Sequence, residues 1–165
     1  MKNTRNLIFV LMLCLLLSGC ALLAACANTP DALQALCDGA GLDLKAARFL
    51  SDDDSHGGFH GDGVRLAAVS FDAAADTARL ADAEGWNALP LPEELAGVLY
   101  EGMEGIYPSD ARIPRVEHGC WYFRDRFDPQ SPDSGKPLAE RGAYNFTAAL
   151  YDADTQTLYY CEVDT

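Results

Sequence analysis

Two runs near the C-terminus, Ala143 to Tyr151 and Thr157 to Val163, are rich in apolar and aromatic residues and are separated by Asp152-Ala153-Asp154-Thr155-Gln156. Asp152 and Asp154 can bond their own backbone in a turn, so the two runs read as strands of a hairpin. Strands joined this closely pair antiparallel, because a parallel partner needs a crossover of about a dozen residues or more. The hairpin therefore commits the chain to an antiparallel sheet, around which the other segments have to be fitted.

Upstream, Thr29-Pro30-Asp31 reads as an N-cap, a proline at the first helical position and an acid in the first turn. A short helix to about Cys37 follows, with Leu33 and Leu36 on one face and Gly39 and Gly41 ending it. Leu42 to Leu50 carries apolar residues at 42, 44, 46 and 50, compatible with a strand, although Lys45-Ala46-Ala47-Arg48 also tolerates helix. The polar, glycine-rich Ser51 to Gly63 then forms a hairpin loop, closed by a strand from Val64 to Phe71. Asp72 to Ala83 reads as a helix ended by Gly85, Trp86 to Pro92 as a stiff connector, and Pro92 to Gly102 as a second helix with Leu95, Val98 and Leu99 at core spacing. Gly105 to Glu117 is a loop, His118 to Phe127 a strand by its aromatic content, and Asp128 to Gly142 a proline-rich loop. Hairpin, two helices, strand and C-terminal hairpin predict an α+β fold: a mainly antiparallel sheet of about five strands with helices packed on one face.

The first 27 residues set location. Lys2 and Arg5 precede an uncharged run from Leu7 to Ala27, the layout of a secretory signal peptide. Leu17-Ser18-Gly19-Cys20 resembles the lipobox of bacterial lipoproteins, in which the cysteine is diacylated and becomes the mature N-terminus; Leu23-Ala24-Ala25-Cys26 is a second copy of the pattern. The apolar core before Cys20 has the usual signal-peptide length, which favours that site. Cleavage before Asn28 after the Ala25-Cys26-Ala27 pattern, and an uncleaved anchor of about 20 residues, are the other outcomes the run allows. Lipidation at Cys20 divides the chain into a signal peptide (1–19), a lipidated cysteine and tether (20–29) and a single α+β domain (30–165). A tether of about nine residues reaches about 30 Å, so the domain stays near the cell membrane, on its outer side.

Taking Lys2 and Arg5 from the 12 basic residues leaves 10 against 25 acids in the mature part, a net charge of −15. Such a body repels phosphate backbones and anionic lipid, which excludes nucleic acid as a partner and leaves an unknown protein or small ligand. Cys26, Cys37, Cys120 and Cys161 allow two disulfides without requiring them, Cys120 with Cys161 among the pairings, and their spacing matches neither a zinc ribbon nor a redox C-x-x-C.

The pieces His56-Gly57-Gly58-Phe59-His60-Gly61-Asp62-Gly63, Trp86 to Leu91, Cys120 to Arg126 and Tyr144 to Thr165 give the chain from about Asp52 onward a resemblance to a family of small exported proteins of Gram-positive bacteria with no established biochemical role. The resemblance implies one unit of that family and carries over no activity and no functional residue.

Two places can carry chemistry. In the loop from Asp52 to Gly63, His56 and His60 with Asp52, Asp53, Asp54 and Asp62 supply nitrogen and oxygen donors within a dozen residues. A calcium-loop match fails, because Gly63 stands where a bidentate glutamate is required. In the strand Cys120 to Phe127, alternation puts Trp121, Phe123 and Phe127 on a core face, and Tyr122, Arg124 and Arg126 on the other. Two guanidiniums and a phenol on an acidic protein suit a carboxylate or phosphate, unless the arginines pair with neighbouring acids such as Asp125, Asp152 or Glu162. Nucleophile-elbow, zinc-protease, P-loop and dinucleotide motifs are absent, and no catalytic, cofactor or metal residue is assigned. The expectation is a membrane-anchored, extracytoplasmic lipoprotein acting as a binding or accessory module at the cell envelope. The alternative is a small envelope hydrolase or metal-binding protein using the loop from His56 to Asp62.

Overall fold

In a computed structural model, the structure describes residues 31–57, 61–102 and 113–165. The leader, with Cys20, Cys26 and the first part of the expected N-cap, and His60 lie outside the described residues. The chain divides into two compact units, Met1–Ala35 and Leu36–Thr165. The described part of the first unit is the start of helix α1 (Ala32–Ala40), where Asp31 accepts a hydrogen bond from the Leu33 N–H at 3.0 Å. The helix runs through Gly39 and stops at Gly41, whose φ of 70° suits a residue without a Cβ. Leu42 N–H donates to the Cys37 carbonyl and Gly41 N–H to that of Asp38, the paired bonds of a Schellman stop.

The second unit is built on one antiparallel sheet. Its strands are β1 (Arg48–Asp54), β2 (Gly63–Ser70), β3 (Trp86–Ala88), β4 (Gly119–Asp125), β5 (Asn145–Asp152) and β6 (Thr157–Asp164), in the spatial order β1-β2-β6-β5-β4-β3. Helices α2 (Thr77–Ala81) and α3 (Glu93–Glu101) lie in the connections. The fold is α+β with a mainly antiparallel sheet, as expected. The C-terminal hairpin forms at the centre of the sheet: Asp152 accepts from the N–H groups of Asp154 and Thr155 and from the Thr155 hydroxyl, and Gln156 takes φ 55°.

Three expectations are corrected. The first strand is shifted: Leu44–Ala46 is a single 3-10 turn, and the strand is Arg48–Asp54, so Asp52, Asp53 and Asp54 are strand residues rather than part of the loop. Every residue of β1 is exposed, so no apolar alternation marked it; its pairing with β2 and a bulge between Phe49 and Ser51 define it. The connector contains a sixth strand, β3, three residues long and paired to Cys120–Tyr122.

The helices also do not gather on one face. On the first face Val64, Cys161, Val163, Phe146, Ala148 and Leu150 pack with Leu95, Val98 and Leu99 of α3, and with Ile113, Val116 and Leu138. On the second face the segment after β2 crosses the sheet. Ala75 N–H donates to the fully buried Tyr151 hydroxyl at 2.8 Å, and Cys120 Sγ donates to the Thr77 carbonyl at 3.1 Å. Both faces of the central strands are buried, as the burial of all of Phe146–Asp152 shows. A strand covered on both sides carries no polar alternation to say on which side its helix sits.

Candidate functional site

The sheet register places the candidate residues. On the second face, antiparallel pairing aligns Arg124 with Thr147, Thr147 with Glu162, Glu162 with Arg65, and Arg65 with Asp54. One step further along, Arg126 bonds the Asn145 carbonyl through its N–H at 2.7 Å, Asn145 pairs with Asp164, and Asp164 with Gly63. Gly63 in turn lies against His56, since a Cβ there would meet the His56 Cα at 2.4 Å. Two rows of charge of mixed sign therefore cross this end of the face.

Within them, His56 and Arg126 meet on one carboxylate. Arg126 Nη1 lies 2.9 Å from Asp164 Oδ1 and Nη2 3.0 Å from Oδ2, a bidentate pair, while Nη2 also faces Glu162 at 3.2 Å and donates to the Phe146 carbonyl. Glu162 is held from the other side by the Tyr160 hydroxyl at 2.7 Å. His56 Nδ1 sits 2.7 Å from Asp54 Oδ1, which also accepts the His56 backbone N–H at 2.9 Å. The backbone bond above all, with the ring bond beside it and against the opposing effect of burial, holds the Asp54 carboxyl below the ordinary carboxylate value. The other ring nitrogen, Nε2, is buried 3.2 Å from Asp164 Oδ2 but off the direction of a hydrogen bond. The imidazole is thus bracketed by two carboxylates, one of them neutralised by Arg126.

The other expected residues have separate fates. Asp62 is exposed and apart from this cluster of bonds. Tyr122 packs against Trp86, with ring centroids 5.7 Å apart, and against Gly85, where a Cβ would strike its ring at 2.5 Å; it is a packing residue. Arg124 is exposed and makes no ion pair among the described residues. Of the anticipated acidic partners, Glu162 does pair with Arg126, but Asp125 pairs with Arg141 at 2.8 Å and Asp152 is spent in its turn. On the first face Trp121 and Phe123 join the core, while Phe127 lies beyond β4 under the Arg141 guanidinium, 5.2 Å from ring centroid to Cζ. His118 pairs with Asp154 at 2.9 Å.

The cysteine geometry excludes a Cys120–Cys161 bridge. The two lie on strands separated by β5 and on opposite faces, Cys161 in the α3-side core and Cys120 under Thr77. Both thiols are free and buried, and burial pushes that of Cys161 up to about 12. Among the described residues no group of three or more His, Cys, Asp or Glu could hold a metal ion, and no helix is long and apolar enough to cross a membrane.

Two cavities lie away from the charged rows. One of about 340 Å³ opens between Leu42, Phe71, Arg79 and Leu80. The other, about 160 Å³, lies on the first face beside Trp121 and Arg141, a residue without any motif to announce it.

These elements define an α+β protein with a six-stranded antiparallel sheet, covered on both faces and carrying a histidine–carboxylate–arginine cluster at one end. No family model, no curated protein and no solved structure matches the chain.

Proposed function

We propose that the protein is an exported lipoprotein, held to the outer side of the bacterial cell membrane through Cys20, and that its body is a binding or accessory module at the envelope. The lipobox-like Leu17-Ser18-Gly19-Cys20, after a basic start and an apolar core, supports the anchoring. Binding rather than catalysis is supported by one observation, the way His56 is held. Both ring nitrogens face carboxylates, Asp164 is itself clamped by Arg126, and among the described residues no serine, threonine or cysteine nucleophile bonds to the imidazole. Such a cluster stiffens the end of the sheet and leaves the neighbouring Arg124 as an exposed cation on an acidic body.

Mass spectrometry of the mature N-terminus tests the anchoring: an acylated Cys20 is expected, and a free Asn28 overturns it. A screen of small anions at low salt, with Arg124→Ala as the control, tests the surface. Binding that survives the substitution removes Arg124 from the site.

A further inference from the structure

At the opening of β1 the described surface turns from acidic to apolar and basic. Phe49 and Leu50 are its exposed large hydrophobic residues, at 44% and 52%, and they are adjacent. β1 is an outer strand, so both border the same open edge of the sheet. The bulge takes Leu50 out of the alternation that sends neighbouring side chains to opposite faces. Lys45 of the 3-10 turn and Arg48 are exposed beside them, and neither makes an ion pair among the described residues. From Leu44 to Ser51 the chain carries these two cations and no acid. The flanking acids are engaged or distant. Asp43 accepts the Lys45 N–H at 3.1 Å, and Asp52 is bidentate on Arg65 at 2.8 and 2.9 Å. Asp53 lies about 10 Å further along the strand than Leu50. Exposed apolar residues scattered singly are ordinary, but an adjacent pair flanked by two such cations on an acidic body is not.

We infer that this patch docks on the outer surface of the membrane that carries the lipid anchor, with Phe49 and Leu50 entering the interface and Lys45 and Arg48 meeting anionic headgroups. The inference rests on the reading of the chain as a Cys20 lipoprotein. A tether of about nine residues keeps the body within about 30 Å of the lipid, so part of its surface always faces the headgroups. Charge selects which part: the acids elsewhere on the body are repelled by anionic lipid, while Lys45 and Arg48 are drawn to it. Apolar side chains at the interface add attraction in proportion to the area they bury. A further β-strand suits this edge less well, because Asp52, Asp53 and Asp54 oppose an acidic edge such as a second copy's, and the bulge interrupts the ladder. Arg124, also an exposed cation, has no exposed large apolar residue beside it.

The test is NMR of the mature chain, isolated as a bacterial host exports it and placed in nanodiscs of phosphatidylcholine and phosphatidylglycerol. A fraction of the lipid carries a nitroxide on its headgroup, which broadens the signals of nearby amides. Broadening is compared between Lys45–Leu50 and Trp86–Ala88, the opposite edge of the same sheet, about 24 Å away. It is expected to be about threefold or more stronger at Lys45–Leu50, because those residues sit in the interface. Phe49→Ser combined with Leu50→Ser is expected to remove most of the difference, as is Lys45→Glu combined with Arg48→Glu. Equal broadening at the two edges, stronger broadening at Trp86–Ala88, or a difference that survives both double variants overturns the inference. All four side chains are exposed, and the comparison of edges in the unaltered chain stands even if a variant does not fold. Mass spectrometry of the same sample separates the two readings. With Cys20 acylated, equal broadening removes the docking surface and leaves the anchor, whereas a free Asn28 removes both.

Discussion

Arg124 and Arg126 stand two residues apart and point to the same face, yet the structure gives them opposite roles, and replacing each by methionine separates them. Arg126 binds Asp164 at 2.9 and 3.0 Å and faces Glu162 at 3.2 Å, with the three side chains 28%, 26% and 16% exposed. A hydrogen bond to a charged group contributes about 1.5–3 kcal/mol when well buried, and partial exposure screens it. Removing the guanidinium also leaves Asp164 and Glu162 without the cation they share, with His56 as the other described side chain on the Asp164 carboxylate. Together these give an expected loss of about 2 kcal/mol for Arg126→Met. Arg124→Met, at an exposed position without a described ion pair, is expected to stay within about 0.5 kcal/mol of the parent. Urea denaturation followed by circular dichroism reads both, with an unchanged slope showing that only the native state was altered. A cycle with Asp164→Asn should show a coupling of about 1 kcal/mol. An Arg126→Met protein as stable as the parent, or two variants of equal cost, refutes the assignment.

Two glycines should respond in opposite ways. Gly97, inside α3, has nothing described near its missing Cβ, so Gly97→Ala is expected to stabilise by about 0.5–1 kcal/mol. Gly119 has φ 153°, and a Cβ there would lie 1.8 Å from the Tyr151 carbonyl oxygen, so Gly119→Ala should cost about 3 kcal/mol or more, or abolish folding; thermal melts compare them. The folded-state value of Asp54 lies below 3.8, so its contribution is complete above about pH 3.8 and is lost as pH falls through the folded value. Asp54→Asn should therefore flatten stability below pH 4, and an unchanged acid limb in denaturation curves would show that the His56 contacts contribute nothing. Cys120 and Cys161, buried and with raised thiol values, should resist maleimide at pH 8 in the native protein and react once it is denatured. A Cys120–Cys161 bridge in an unreduced digest would contradict the strand order itself.

The parts of the fold legible in the sequence are those whose cause is local. Asp152 caps the turn it starts, and Leu95, Val98 and Leu99 repeat at helical spacing and are all buried. The parts that were not legible depend on partners distant in the chain. Arg48–Asp54 carries its one apolar pair, Phe49 and Leu50, exposed, and its aspartates make it look like a loop; only β2 makes it a strand. Three consecutive acids and a bulge on an edge strand also suit a position where further pairing has to be discouraged. Trp86–Ala88 is too short for any periodic signal and exists because Cys120–Tyr122 offers it a partner.

The candidate site divides in the same way, and three arginines show why. By composition and spacing Arg124, Arg126 and Arg141 differ little: each neighbours acids in sequence, and each could serve an anion. Register decides among them. Arg126 falls opposite the end of β6, where Glu162 and Asp164 alternate with buried Val163, and is consumed there. Arg124, one step inward, faces Thr147, which holds no charge, and stays exposed. Arg141 leaves a loop without motif, but Asp125, on the opposite face of β4 from Arg124, draws it in over the Phe127 ring, where Nε also donates to the Lys136 carbonyl. Residue type alone therefore does not separate the three arginines. Which of them stays exposed and which are consumed in ion pairs is set by strand register and burial.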